Sequence, residues 1–454
     1  MAGHPSHRLQ SSAERFRRRR MDYAILGRNP PSEGDPLRVQ RLAMLTGAAL
    51  TAGALVVSTV LVTDRQDSGP GDAVLVMSRQ SGALFVRVDG QLRPVSNVAS
   101  ARLILGSPVA PRLVDESALG NVASGPILGI PGAPRSLGRP VAPNTAVWAV
   151  CATADGATTI AVSDDQPPKP LEPDDGVVVS TEPGDGSVYL LYDGKRAMIN
   201  PGDPATARTL HLDGVPVRKV SATVLNAIPE VPGIAPPRIA RMGQPSGAAG
   251  HPVGTVLRVV RTEVSEYYVV LADGLQRVGR LTADLIRFSD PAADDQIRTV
   301  APGVIAAIPL LDALPVATYP EDPPALRDAG DGLCATWAAG RSGIALGVPA
   351  DDRPAVALAA SDDAGPGVDF VRIPPGRSVD VTATMLTTDR GAAGRYLITD
   401  AGVRFPIHDS AAATALGLGP AGSPAPWTIV GALPAGPELS REGALIARDV
   451  GAAS

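Results

Sequence analysis

Two cysteines, three histidines and several acidic pairs outside the N-terminal segment are the side chains of this sequence with the types to do chemistry. Cys151 and Cys334 are its only thiols. A structural zinc site draws on four Cys or His ligands, and His211, His251 and His408 show no HExxH spacing, so zinc chemistry has no ligand set here. What is left for the thiols is a disulfide or two separate buried side chains, and the compartment decides between them. Asp174-Asp175, Asp294-Asp295, Asp351-Asp352 and Asp362-Asp363 offer oxygens of the kind Ca2+ takes. None has the spacing of a calcium loop, so solvated turns are the expectation.

Phosphate chemistry fares no better. Gly417-Leu418-Gly419-Pro420-Ala421-Gly422 matches GxGxxG literally. A dinucleotide fingerprint must follow a strand and open a helix, whereas this one follows an Ala-rich helical stretch and carries Pro420. It reads as a helix C-terminus and turn. No GxxxxGK[ST] phosphate loop occurs. Of the three lysines, Lys169, Lys195 and Lys219, Lys195 lies in Asp193-Gly194-Lys195-Arg196 at a hairpin turn. No GxSxG elbow is present. The sequence thus nominates no catalytic residue and no metal ligands, and it leaves no residue to which a cofactor can be assigned.

The elements that hold these residues are more informative. The chain has 454 residues, 41 Lys and Arg against 46 Asp and Glu, and a formal charge of −5. It therefore lacks the broad basic footprint of a nucleic-acid binder. Gly and Pro number 48 and 45 without a strict every-third-residue Gly, which excludes collagen and calls for many turns between short elements.

The charge is unevenly placed. Residues 1–41 hold nine Arg and four acids; residues 42–63 hold no charge. As a helix the 22 residues 42–63 would be about 33 Å long, enough for a hydrocarbon core of about 30 Å. Arg15, Arg17, Arg18, Arg19, Arg20, Arg38 and Arg41 precede it, and Asp64 and Asp67 follow. The positive-inside rule puts the N-terminus in the cytoplasm and residues 64–454 outside, on a single-pass anchor. A cleaved signal peptide and a buried soluble helix are the alternatives. The cluster Arg17, Arg18, Arg19 and Arg20 could meet anionic headgroups, dock a cytoplasmic partner, or serve topology alone. Both cysteines fall in the exported part, where an oxidising compartment makes Cys151–Cys334 the expected disulfide.

The exported part repeats itself. Four segments share an aromatic or β-branched run, Asp near Gly, a short strand and an Ala/Leu-rich helix. They centre on Asp89-Gly90, Asp193-Gly194, Asp273-Gly274 and Asp400-Ala401-Gly402. Asp-Gly favours the positive φ of tight turns, so each reads as a hairpin. Each is followed by an apolar-Pro step: Ile130-Pro131, Ile228-Pro229, Ile308-Pro309 and Leu433-Pro434. Between the units lie Trp148 and Cys151, then Cys334 and Trp337. The expected fold is α+β and β-rich: one N-terminal transmembrane helix and an elongated ectodomain of four small repeat units around a disulfide-stapled β core with pseudo-twofold symmetry. The expected boundaries are 1–41 (cytoplasmic basic segment), 42–63 (transmembrane helix), 64–138 (unit 1), 139–180 (core half A), 181–250 (unit 2), 251–318 (unit 3), 319–385 (core half B) and 386–454 (unit 4 and tail).

Several stretches carry a family resemblance. They are Asp35-Pro36-Leu37-Arg38, Ser81-Gly82-Ala83-Leu84-Phe85-Val86-Arg87-Val88-Asp89-Gly90, Gly129-Ile130-Pro131-Gly132-Ala133-Pro134, Leu225-Asn226-Ala227-Ile228-Pro229-Glu230 and Gly402-Val403-Arg404-Phe405-Pro406-Ile407. With Trp148/Cys151 and Cys334/Trp337 in order between them, the chain resembles EccB, the single-pass membrane component of actinobacterial type VII (ESX) secretion systems. The resemblance implies a periplasmic protein of four repeat domains around a disulfide-containing core. It also implies assembly with EccC-, EccD- and EccE-like subunits, a homo-oligomer in the plasma membrane, and no nucleic acid. The family carries an ATPase label, for which this sequence supplies no motif. The function expected is a structural subunit of the secretion complex. A nucleotide-hydrolysing component and a cell-wall-binding receptor are the rivals.

Overall fold

The computed structural model describes residues 7–27, 70–119, 125–142, 146–163, 168–181, 186–248, 250–262, 264–289, 297–348, 355–362, 365–385 and 394–448. The anchor expected at 42–63 lies outside these residues. No helix among the described residues is long and apolar enough to cross a membrane. The residues fall into two compact units. One holds the 19-residue helix His7–Ile25. The other holds everything from residue 72 onward except 117–119 and is built on five sheets.

The central sheet has six strands. In order they are Arg341–Leu346, Gly332–Ala338, Val147–Thr153, Thr158–Ser163, Phe370–Arg372 and Val356–Ala357. Strands from both expected core halves therefore interleave in one sheet. Gly332–Ala338 runs antiparallel to Val147–Thr153.

Around it stand four further sheets, each containing one of the hairpins. Leu84–Val88 pairs with Gln91–Val95 through Asp89-Gly90, and Val188–Tyr192 with Lys195–Ile199 through Asp193-Gly194. Both turns place Asp and Gly at positive φ (51° and 77°, 43° and 68°), the two-residue geometry that matches strand twist. The other two turns differ. Arg395–Thr399 and Arg404–Ile407 join through the four residues 400–403, of which only Gly402 is left-handed. Val264–Val270 and Leu275–Val278 join through a four-residue loop closed by Leu271 N–H donating to the Gly274 carbonyl at 2.9 Å. Neither Asp273 nor Gly274 has positive φ, because the longer loop reverses the chain without it.

Two strands fall on the far side of the expected boundaries. Asp175–Ser180 pairs with Val188–Tyr192 in the second sheet, and Arg377–Thr384 pairs with Arg395–Thr399 in the fourth. The sequence reads both runs as core strands, although Pro183-Gly184-Asp185-Gly186 between Asp175–Ser180 and its hairpin is a turn signal. The segments entering the core are woven in as well. Arg139–Pro140 pairs with Arg377–Thr384, and Ala325–Leu326 with Asp175–Ser180, both in parallel.

A helix follows each hairpin. Val98–Leu105, Pro204–Leu210 and Ser410–Leu416 are capped by Asn97, Asp203 and Asp409, whose side chains accept from Ser100, Thr206 and Ala412 N–H at 2.8, 2.8 and 2.7 Å. Each such cap contributes about 1 kcal/mol. The helices also join sheets. Val98–Leu105 packs on Ser410–Leu416, and one core holds Leu75, Val86 and Leu103 together with Phe405, Ala412 and Leu416. Pro204–Leu210 packs on Arg280–Ser289, whose Leu281 and Leu285 enter the core of the second sheet. The opposite side of Arg280–Ser289, with Ala283 and Ile286, closes the core of the third. The largest core joins the central sheet to the second and fourth sheets.

Candidate functional site

The centre of the central sheet is set by two residue pairs. Cys151 lies opposite Cys334, and three positions along the ladder Trp148 lies opposite Trp337. The sequence order is Trp-x-x-Cys on one strand and Cys-x-x-Trp on the other. Because the strands are antiparallel, that reversal brings both pairs into register at once. An odd spacing also sends the pairs to opposite faces. Trp148 and Trp337 enter the main core with Val150 and Ala335. The cysteines form a disulfide in a small cluster with Ala149, Ala161 and Ala345. Their Cα atoms are 4.0 Å apart, as expected of a close, non-hydrogen-bonded pair. The sequence expectation of a Cys151–Cys334 bridge is what the structure contains, and there are no free cysteines.

Beside this pair lies a residue the sequence reading missed. Asp369 is fully buried (0% exposed). Its carboxylate accepts from Thr158 N–H at 2.8 Å, Ser361 Oγ at 2.7 Å and Asp362 N–H at 3.0 Å. A buried carboxylate is tolerated when donors surround it. Here they tie the Thr158 strand of one core half to the 361–369 segment of the other. No local motif marks Asp369, since its donors are separated from it by up to 211 residues.

The second and fourth sheets carry matching stacks. Arg196 lies over the Tyr189 ring at 5.6 Å, and Arg404 over Tyr396 at 5.8 Å and Trp427 at 5.1 Å. The N–H of each arginine donates to the carbonyl of the proline in the apolar-Pro step, Pro229 and Pro434, at 2.9 Å. Leu275 does the same to Pro309 at 2.8 Å. Between these stacks opens a cleft of about 600 Å³, lined by Arg196, Asn226, Glu230, Trp427 and Gly431. Arg196 is committed inside it, donating to Asn226 Oδ1 at 3.2 Å and Glu230 Oε2 at 2.9 Å.

The candidate chemical residues are dispersed. Gly417 is the left-handed C-cap of Ser410–Leu416, as the sequence implied. Beyond it, the Gly419 and Pro420 carbonyls accept from Arg395 at 2.6 and 3.5 Å, while Arg395 also holds Asp380 at 2.6 and 2.8 Å. This loop turns carbonyls toward a cation, the opposite of an amide cradle for phosphate. Asp175 pairs with Arg327 at 2.9 Å. Asp362 accepts from Gly367 N–H at 3.2 Å. Asp294, Asp295, Asp351, Asp352 and Asp363 lie outside the described residues. Lys195 reaches only Asp193, at 2.7 Å and in solvent. His211 caps Pro204–Leu210 with left-handed backbone. His408 pairs with Glu438 at 3.2 Å, and that carboxylate pushes its pKa up. Among the described residues no group of three or more His, Cys, Asp or Glu could hold a metal ion.

Two further shifts report packing. Burial pushes the Tyr192 hydroxyl up to about 12, and the group donates to the Thr318 carbonyl at 2.8 Å. Burial also raises Asp284, against the opposing effect of Arg287 and Arg280.

Known proteins resemble this chain over most of its length. Residues 4–453 match the family model of the type VII secretion system ESX-1 transport transmembrane domain B, EccB. The ESX-3 secretion system ATPase EccB3 of Mycolicibacterium smegmatis is 34% identical, over 97% of this chain and 90% of its own. The ESX-5 secretion system ATPase EccB5 of Mycobacterium tuberculosis is 32% identical, over 98% and 94%. Among solved structures, a chain of an intact ESX-5 inner membrane complex superposes with a TM-score of 0.70 at 30% identity, covering 99% of this chain and 97% of that one. A chain of the EccB3 dimer from the ESX-3 core complex gives 0.69 at 31%, covering 82% and 100%.

Proposed function

The chain belongs to the EccB family of type VII secretion systems, and from that premise we propose that it is a structural subunit of an ESX inner membrane complex, shaping the periplasmic part of the export machine. The observation that carries this reading is the superposition on a chain of an intact ESX-5 inner membrane complex over nearly its whole length. The interior of the fold agrees with a load-transmitting body. Its centre is occupied by a disulfide, a Trp pair and a satisfied buried carboxylate, and its flanking sheets are joined through shared cores.

The finer architecture follows the same logic. Four hairpin-and-helix units surround the core, the first packing on the fourth and the second on the third. That exchange, with the reciprocal ladders of Arg139–Pro140 and Ala325–Leu326, is what a pseudo-twofold duplication would produce. Residues 42–63 anchor the chain as a single pass, residues 1–41 face the cytoplasm, and the rest lies outside. The protein works as a homo-oligomer beside EccC-, EccD- and EccE-like subunits. The relatives' ATPase names find no counterpart in the 417–422 loop, whose carbonyls bind Arg395.

Gentle detergent extraction of the tagged full-length protein, followed by native gel and mass spectrometry, tests this. A very large assembly containing those partner subunits is expected. A lone monomer or dimer that persists across several detergents would overturn the reading.

A further inference from the structure

The helix His7–Ile25 is a part of the molecule with a pronounced chemical character that the scaffold does not use. It carries six Arg against two acids, and its first turn holds no acidic residue. Residues 12–22 are exposed along their whole length. Phe16 (67%), Met21 (68%) and Ile25 (82%) keep most of their surface in water.

The placement of these side chains says what kind of surface would cover them. A groove on a protein reads one helix face, through apolar anchors at i, i+3, i+4 and i+7. Here the apolar positions fall on two sides, with 9, 16 and 23 spaced seven apart on one of them. Phe16 and Tyr23 are seven apart and lie together; Met21 and Ile25 are four apart and lie on roughly the opposite side. The consecutive Arg17, Arg18, Arg19 and Arg20 are spread all round the axis for the same reason. Such a helix presents cations whichever way it rolls. That suits a laterally uniform sheet of anions. Sequence supplies the proximity: sixteen residues, 26–41, separate the helix from position 42, and a chain of that length spans at most about 55 Å.

We propose that the helix His7–Ile25 adsorbs to anionic phospholipid headgroups of the cytoplasmic leaflet, held by Arg15, Arg17, Arg18, Arg19 and Arg20, with Met21 and Ile25 entering the headgroup layer. This rests on the reading that 42–63 is the anchor with the N-terminus inside. Basic clusters on the cytoplasmic side of an anchor bind such lipid through screened attraction, so the contact is reversible by salt.

The test uses the full chain. Because Cys151 and Cys334 are joined, Met21→Cys introduces a single free thiol, which takes an environment-sensitive fluorophore. The labelled protein is placed in nanodiscs of phosphatidylcholine alone or with a third phosphatidylglycerol. The expected result is a blue-shifted, quencher-protected probe only in the anionic discs, reversed by about 0.5 M salt and reduced about tenfold or more in R17Q/R18Q/R19Q/R20Q. A probe that stays in water in both discs overturns the proposal. So does protection that needs an added cytoplasmic subunit and ignores lipid charge. Disc incorporation is scored separately: a chain that enters no disc of either composition refutes the anchor, whereas one that enters with a water-exposed probe refutes only the adsorption.

Discussion

Trp148 sits directly opposite Trp337 across the same strand pair that sets Cys151 opposite Cys334. The covalent bond and the aromatic pair therefore fix one register from opposite faces of the sheet. A one-residue slip of either strand would send its tryptophan out of the main core and separate the cysteines, so the register is specified twice.

The disulfide closes a separation of 183 residues. Chain-entropy reasoning allows up to about 5 kcal/mol for such a loop, with measured values often lower. Cys151→Ala with Cys334→Ala is expected to lower denaturant stability by about 2–5 kcal/mol while preserving far-ultraviolet circular dichroism. Free thiols in freshly exported protein, read by non-reducing mass spectrometry, would contradict the pairing.

Trp148 is 0% exposed, and its indole N–H has no partner among the described residues. Trp148→Ala should cost about 3–5 kcal/mol by opening a cavity. Trp148→Phe should cost clearly less, since it discards a buried donor that gains nothing. Equal losses in urea denaturation would mean the N–H is satisfied in solution.

Gly90 and Gly194 form a matched pair. Both are left-handed turn glycines, but a Cβ on Gly90 meets nothing within 4 Å, whereas one on Gly194 would lie 2.5 Å from the Ser342 carbonyl. Gly90→Ala should cost about 1 kcal/mol from backbone strain alone. Gly194→Ala should cost distinctly more, because the second hairpin abuts the central sheet there. Indistinguishable melting temperatures would rule out that contact.

Asp369 accepts from three donors. Asp369→Ala leaves those donors without their acceptor and should destabilise by about 3 kcal/mol or more. Asp369→Asn should also destabilise, since its amide turns one acceptor into a donor facing Thr158 N–H or Ser361. Wild-type stability of the Asn variant would show that the site is not built as described.

The exposed His408–Glu438 pair gives a pH signature. Glu438 raises the folded-state pKa of His408, so its small stabilisation is fully present below the ordinary histidine pKa and is lost as pH rises through the raised value. In an NMR titration Glu438→Gln should bring the His408 midpoint down. An unchanged midpoint would dissolve the pair.

The hairpins, the central sheet and the bridge were legible because their signals are local or paired: Asp-Gly turns, alternating apolar strands, and two cysteines with reversed tryptophan spacing. The 417–422 loop was legible because Pro420 forbids the alternative. What escaped the sequence rests on distant partners. Asp175–Ser180 and Arg377–Thr384 are apolar runs whose sheet is decided by neighbours after them in the chain. Asp369 looks like any acid until donors 211 residues away converge on it. The Arg196 and Arg404 stacks needed the hairpin register before arginine and tyrosine could be seen on one face.

The short ladder of Ala447–Arg448 on Ile127–Leu128 has a consequence in time. A chain delivered from its N-terminus presents the first sheet early, yet the last strand of that sheet arrives with the final residues. Likewise, Asp175–Ser180 waits for Ala325–Leu326, and Arg139–Pro140 waits for Arg377–Thr384. The small sheets are therefore not beads that mature one by one as they emerge. Each stays open at an edge until a later part of the chain crosses, so a polypeptide stalled near its end would be incomplete at its beginning.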